Sequence, residues 1–549
     1  EYFIQRLIAF RFAPKFKKRH AMKRFLLFFG AAVTFLSCER VDLGTGDSSA
    51  GRYGDDLSHD AIVLGRQLDD PYKTENVTRA LAALYPTKAD RVNVETTDYY
   101  VRFLPADQEE FDFLKSLGIE LLDHPVDYEI VKEGDWYHDP SVEEENITWQ
   151  YAVVPKDFSF PEVKYQILHE CYIASHDSST KAADEIDWPE VERKSYELTG
   201  NGSLLAEAGT LTRGGRVTPS GRLTIVDDAA NGGKPFGVSG VMVSCNAFVK
   251  FATAYTDRDG YYTMNKEFSS KIRYRIVFKN ERNFALGLNL ILVPASVSTL
   301  GKAEPDGISM TITRDSDEKL FRRCVVNNAV YDYIGRCDKK DMNIGEPPKD
   351  LRIWLLSKLE PSSTPMIHQG AVVSHPLIAG FLGPYALLVK LFAPDITLGM
   401  SGKNDYKSIY STVNHELAHA SHYAKVGNDY WNKYVEYILT SFVSSGTAYG
   451  SGKEDGAGYC EVGEMWAYYL QCVMEKDRYG GKLSDSGEYE WFRPQILKYI
   501  GERGVSRGDI FKALDGGTAS LAAFKTSLIK ARPDKRAVIE QAFSRYSKE

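Results

Sequence analysis

The spacing of apolar residues changes character twice along this chain, and that limits its possible folds more than any other feature. Residues 205–290 are rich in Gly, Val, Thr and turn dipeptides, with short runs in which apolar and polar residues alternate. A period of two marks strands with one buried face, and several such runs separated by turns predict a β-sandwich. From about 291 onward the spacing is helical, interrupted by the strand-like runs 351–356 and 395–398. Residues 58–200 read as strands and helices in alternation. Thr97 to Leu104 alternates as a strand does, Asp107 to Ser116 is helical, and Gly118 ends that helix before the strand-like Ile119 to Leu122. A second strand-plus-helix pair is expected at Ile147–Val154 and Pro161–Tyr172. The chain has 549 residues, several times the usual domain of roughly 100–150. The expected fold class is therefore multi-domain α+β: a small α/β module over 58–200, a β-sandwich over 205–290 and a mainly helical domain over 291–549.

Composition fits a folded protein, with 43% apolar and 26% charged residues. A net charge of -8 leaves no basic face to neutralise phosphates, which argues against nucleic acid as a partner. Seven cysteines are dispersed, without the short paired spacings of a zinc ribbon or a disulfide-dense miniprotein. The amino terminus reads as an export signal starting at Met22: Met22-Lys23-Arg24 is basic, Phe25 to Leu36 is largely apolar, and Ser37-Cys38 closes it. Twelve residues are too few for a bilayer span of about 20. The run resembles bacterial lipoprotein signals, which implies lipidation of Cys38 followed by a polar tether over 39–57. By that resemblance the chain is anchored in the cell envelope of a Gram-negative bacterium, at the outer membrane.

In the middle segment, Val238 to Cys245 followed by Ala252 to Thr263 resembles the carboxypeptidase-regulatory-like and transthyretin-like domains of bacterial surface proteins. Asp257 and Asp259 there suit turn chemistry, since a calcium loop of the EF-hand kind needs more oxygen ligands and a distal Glu.

The chemical signal lies past the second late strand. His415-Glu416-Leu417-Ala418-His419 is an HExxH motif: histidines four apart share one helix face, so both imidazoles can bind one zinc ion while Glu416 reaches the water at its open position. On a helix from Ile409, the residues Val413, Leu417, Ala420 and Ala424 form a core sector, and His415, His419 and His422 form another well over 100° away (about 100° per residue). Lys425 and Gly427 mark its end. The metzincin continuation is absent, since Lys425 stands where its third His would be.

A third protein ligand must come from elsewhere, and Gly463-Glu464-Met465-Trp466-Ala467-Tyr468 supplies a candidate. There the chain resembles the gluzincin group of zincin metallopeptidases, whose second helix carries a ligand Glu in strings like Glu-x-aromatic-Ala. The resemblance implies Glu464 as metal ligand, with Glu461, one turn earlier, as competitor; the alternative for both is an ordinary surface carboxylate. It further implies one Zn2+ ion held by His415, His419 and that Glu, Glu416 as general base, and Ile396 to Gly399 as the edge strand that pairs with an extended substrate. The oxyanion or substrate contacts are left open among His422, Tyr423, Tyr459 and Tyr468. The expected activity is hydrolysis of peptide bonds in a peptide or protein substrate. Two alternatives stand beside it: a zinc amidase acting on cell-wall or glycopeptide substrates, and a non-catalytic surface lipoprotein accessory to outer-membrane nutrient import machinery.

Overall fold

The computed structural model describes residues 61–87, 92–134, 136–143, 146–174, 186–212, 214–287, 296–356, 362–371, 394–445, 447–480 and 491–546. The leader, Cys38 and the tether lie outside the described residues. The fold is mixed α/β with several sheets.

The amino-terminal part centres on an antiparallel sheet in which Asp98–Leu104 is flanked by Gln150–Pro155 and Lys164–Cys171. The expected helix follows the central strand at Gln108–Ser116, its start fixed by the Asp107 carboxylate accepting from Glu110 N at 3.0 Å. Gly118, at φ 72°, turns the chain away. Of Ile119–Leu122, only Leu122 pairs, as an isolated bridge to Tyr151. The helix expected over Pro161–Tyr172 is instead the strand Lys164–Cys171. Lys164 to Ile167 alternates polar and apolar as a strand does; Tyr165 and Ile167 pair with the buried Phe103 and Val101 but stay partly exposed at the sheet edge.

The central scaffold is a seven-stranded sheet: β1 (Val241–Ala247), β2 (Lys250–Tyr255), β3 (Ile272–Asn280), β4 (Phe284–Leu286), β5 (Val297–Ala303), β6 (Leu351–Leu356) and β7 (Ile396–Gly399). They run in the order β7-β6-β4-β3-β1-β2, with β5 also paired to β3. Pairing is antiparallel through β2, β1, β3, β4 and β5, then parallel from β4 to β6 and from β6 to β7. The expected boundary at 290/291 thus falls between strands of one sheet. A smaller sheet of 220–225, 236–237, 261–263 and 310–312 shares an apolar core with it. Asp257 closes the link between the sheets by accepting from the Asp259 and Tyr261 amides at 2.8 and 2.9 Å, the turn chemistry expected.

Alternation along β3 gives the sheet two unlike faces. Ile272, Tyr274, Ile276 and Phe278 point into the core, and Arg273, Arg275 and Val277 point toward the amino-terminal part. Three long helices follow: α1 (Glu318–Cys337), α2 (Tyr406–Ser445) and α3 (Ala457–Tyr479). Their buried faces extend the same core without interruption to Phe543. No helix among the described residues is long and apolar enough to cross a membrane. The six described cysteines are free thiols.

One buried carboxylate joins the amino-terminal part to the scaffold. Glu192, on the helix Trp188–Leu198, accepts from Arg216 at 2.5 Å, Tyr72 at 2.6 Å, Ser269 at 2.9 Å and Lys250 of β2 at 3.3 Å. Burial by itself would raise its pKa, but Lys250 and Arg216 overcome that and hold it at about 2, below the ordinary 4.5. A folded pKa below the unfolded one means that this stability is complete above about pH 4.5 and is lost as pH falls toward 2. Denaturant titrations at stepped acidic pH are expected to show that loss in the natural chain and a flatter profile in Glu192→Gln.

Candidate metal centre

Helix α2 carries the motif through the middle of the molecule. The expectation of a core sector and a separate histidine sector is replaced by enclosure: every residue from Ile409 to Tyr423 is buried, and Ala424, expected in the core, is exposed. What covers the histidine side is α2 itself. At Gly427 (φ 77°, ψ -176°) the helix breaks in a conformation that essentially only glycine adopts. The chain then returns so that Trp431 and Tyr434 pack against His419, at ring-centroid distances of 5.9 and 5.7 Å. The predicted end at Gly427 is therefore a turn into a second helical segment.

Helix α3 closes the site from the other side. Trp466 donates its indole N–H to the Ala418 carbonyl at 3.2 Å, locking α3 onto the motif. Gly463 lets Tyr434 approach: a Cβ there would lie 3.3 Å from the tyrosine ring. Glu464 then faces both histidines. His415 Nε2 and His419 Nε2 are 3.2 Å apart, and the Glu464 oxygens lie 3.3 Å from the first and 3.4 Å from the second. Zinc–ligand bonds of about 2.0–2.1 Å in a tetrahedron separate the ligand atoms by roughly 3.3–3.4 Å. Two imidazole nitrogens and a carboxylate, all buried and converging at that spacing, fit the donor set of a zinc site.

The surroundings orient these three side chains. His415 Nδ1 donates to Gln471 Oε1 at 3.0 Å, which leaves Nε2 as the free lone pair. Gln471 Nε2 in turn donates to Ser411 Oγ at 2.7 Å, and Ser411 donates to Glu475. Tyr434 donates to Glu464 Oε1 at 2.6 Å. Burial would raise the Glu464 pKa, but the two imidazoles pull its carboxyl far below the usual range. At His415 burial acts downward, and Glu464 reverses it to a net rise. Glu416 is raised by burial, against the pull of both histidines, and Thr364 donates to its Oε2 at 2.6 Å. Removing a partner that orients a ligand typically weakens metal affinity by about 10–100-fold. Gln471→Leu is expected to lose zinc affinity in that range, read by competition with a chromophoric chelator.

The other expected residues divide. Glu461 is drawn away from the histidines into an ion pair with Arg493, so it does not join the cluster. His422 lies in the interior. It is fully buried against Tyr430 and near Trp431, neither ring nitrogen has a hydrogen-bond partner among the described residues, and burial lowers its pKa to about 3. It packs as a neutral ring because the chain folds back at Gly427. Tyr423 donates to Asn428 at 2.7 Å and to the Gln369 carbonyl at 3.1 Å. Tyr459 lies against Tyr430 at 4.8 Å between ring centroids. Tyr468, of these four, has its ring against His415, edge-on at 4.6 Å.

The edge strand expected to receive substrate is covered at one point. Thr397 of β7 exchanges both backbone hydrogen bonds with Ser363, at 2.9 and 2.8 Å, and their hydroxyls meet at 2.7 Å. The same short stretch presents Thr364 to Glu416, while Trp431 Nε1 donates to the Thr364 carbonyl at 3.0 Å. A substrate strand pairing at Thr397 would have to displace Ser363. Sequence reasoning missed Thr364, Tyr434 and Gln471. Gln471 alone left a signal, standing seven residues, or two turns, beyond Glu464 on the same helix face.

No family model, curated protein or solved structure matches this chain.

Proposed function

We propose that this chain is a zinc-dependent peptidase of the gluzincin kind, with His415, His419 and Glu464 holding one metal ion and Glu416 serving as general base. The observation that carries the reading is the convergence of three buried donor atoms, 3.2–3.4 Å from one another, beside a buried carboxylate that is not part of the cluster. When bound, zinc would polarise the substrate carbonyl and make the attacking water more acidic. Glu416 accepts the proton of that water and returns it to the leaving nitrogen, a task helped by the raised pKa that burial gives it. Thr364 restrains one carboxylate oxygen, and Tyr434 and Gln471 keep the ligands aimed at a common point. Of the expected donors, Tyr468 is the one whose ring packs on His415, and it is therefore the one assigned to the developing oxyanion.

In this reading strands of residues 205–290 share one sheet and one core with the peptidase half instead of forming a separate sandwich, and lipidation at Cys38 holds the protein at the outer membrane. The reading is tested by metal analysis of the full chain together with cleavage of casein, peptidoglycan and a mucin-like substrate before and after chelation. One zinc per chain, with chelator-sensitive cleavage of casein restored by zinc, is expected. Cleavage confined to peptidoglycan or the mucin-like substrate would move the assignment to an amidase. A metal-free chain, or cleavage indifferent to chelation, would overturn it.

A further inference from the structure

A second feature lies on the opposite face of the central sheet from the three long helices. There the amino-terminal part covers β1, β3 and β5 incompletely, leaving a cavity of about 250 Å3. Its floor holds Arg275, which is only 4% exposed. The Nε and Nη1 atoms of this guanidinium have no hydrogen-bond partner among the described residues, and Nη2 has only Ser244 Oγ at 3.4 Å. A buried cation with most of its donors unanswered is costly unless something satisfies it.

Of the neighbouring carboxylates, Glu120 and Asp123 act on it only from a distance, without a direct ion pair. Glu133 is taken by Arg273. Asp123 accepts from His124 at 2.7 Å and from the Tyr137 amide at 2.6 Å. Glu120 accepts from Ser244 at 2.7 Å and makes no ion pair with Arg275. Burial correspondingly depresses the Arg275 pKa. The rest of the wall is largely apolar, including Ile119, Leu121, Met242, Val277 and Val297.

We infer that this cavity binds a small monocarboxylate with an apolar body, its carboxylate on the Arg275 guanidinium and its body against the aliphatic wall. Guanidinium donors match the two oxygens of a carboxylate. One guanidinium short of hydrogen-bond partners suits a single carboxylate; Lys115 and Lys279 line the cavity as well as Glu120, Asp123 and Glu133, so the phosphate arm of the test decides between a monoanion and a dianion. The volume suits a ligand of amino-acid size. The site is separate from the metal centre and does not rest on the peptidase reading.

The test is isothermal titration of the full chain with N-acetyl-L-leucine, its uncharged amide and inorganic phosphate, in the natural sequence and in Arg275→Met. The acid is expected to bind at least tenfold more tightly than the amide and than phosphate, and Arg275→Met to erase that preference. Equal binding of acid and amide, no binding of the acid, a preference for phosphate, or an unchanged preference in Arg275→Met would each overturn the assignment. If Arg275→Met does not fold, the acid-against-amide comparison on the natural chain decides. Glu416→Gln is expected to bind the acid as the natural chain does, which separates failure here from failure of the hydrolytic reading.

Discussion

Glu416→Gln is expected to retain one zinc ion per chain and to cleave peptides about 100- to 10,000-fold more slowly than the natural chain. Metal should be retained because Glu416 lies outside the three-donor cluster. Folding should be retained because the amide keeps an oxygen that can accept from Thr364, so no buried hydroxyl is left without a partner. What the amide lacks is basicity: it cannot take a proton from water at neutral pH. Stopped assays on a chromogenic peptide, paired with metal analysis of the same sample, check both halves. Undiminished turnover would remove Glu416 from the mechanism, and loss of zinc would mean that the geometry of the cluster had been misread.

The second large effect separates two neighbouring glutamates. Glu464→Gln is expected to lower zinc affinity by well over 100-fold, since changes one shell further out already cost about 10–100-fold. The substitution replaces an anionic ligand, buried between two imidazoles, with a neutral amide of nearly equal size. Glu461→Gln, by contrast, should bind zinc as the natural chain does and lose only its pairing with Arg493. Zinc titration against a competing chelator distinguishes them. The reverse ranking would make Glu461 the ligand and require α3 to turn by most of a helical step.

Much of this was legible in the sequence wherever local chemistry decides structure. The strand at 351–356, the helix after Asp107, the Asp257 turn and the break at Gly427 each depend on residues adjacent in the chain. Spacing within one helix also sufficed to bring His415 and His419 together. The proposed third donor needed a family resemblance, and what places Glu464 near the imidazoles and Glu461 away from them is a partner, Arg493, that lies 32 residues beyond Glu461. Pairing across long separations left no trace. Thr364 reaches Glu416 over 52 residues, and the strand at 164–171 pairs along one side of the central strand, a partner far from it in the chain. His422 shares the spacing of a metal-facing residue, and only the returning half of α2 shows why it is packed away.

The unbroken sheet from β2 to β7 has a bearing on how such a protein can be altered. A fragment beginning after residue 290 would keep β6 and β7 but lose β4, the strand against which β6 is hydrogen-bonded, and with it the wall behind the strand that leads into α2. Its helices would present to water the apolar surface now shared with β1 and β3. The half that carries the three-donor cluster is therefore not a self-sufficient folding unit. Both halves have to be kept together in any re-engineering, which leaves the amino-terminal joint around Glu192 as the place to graft.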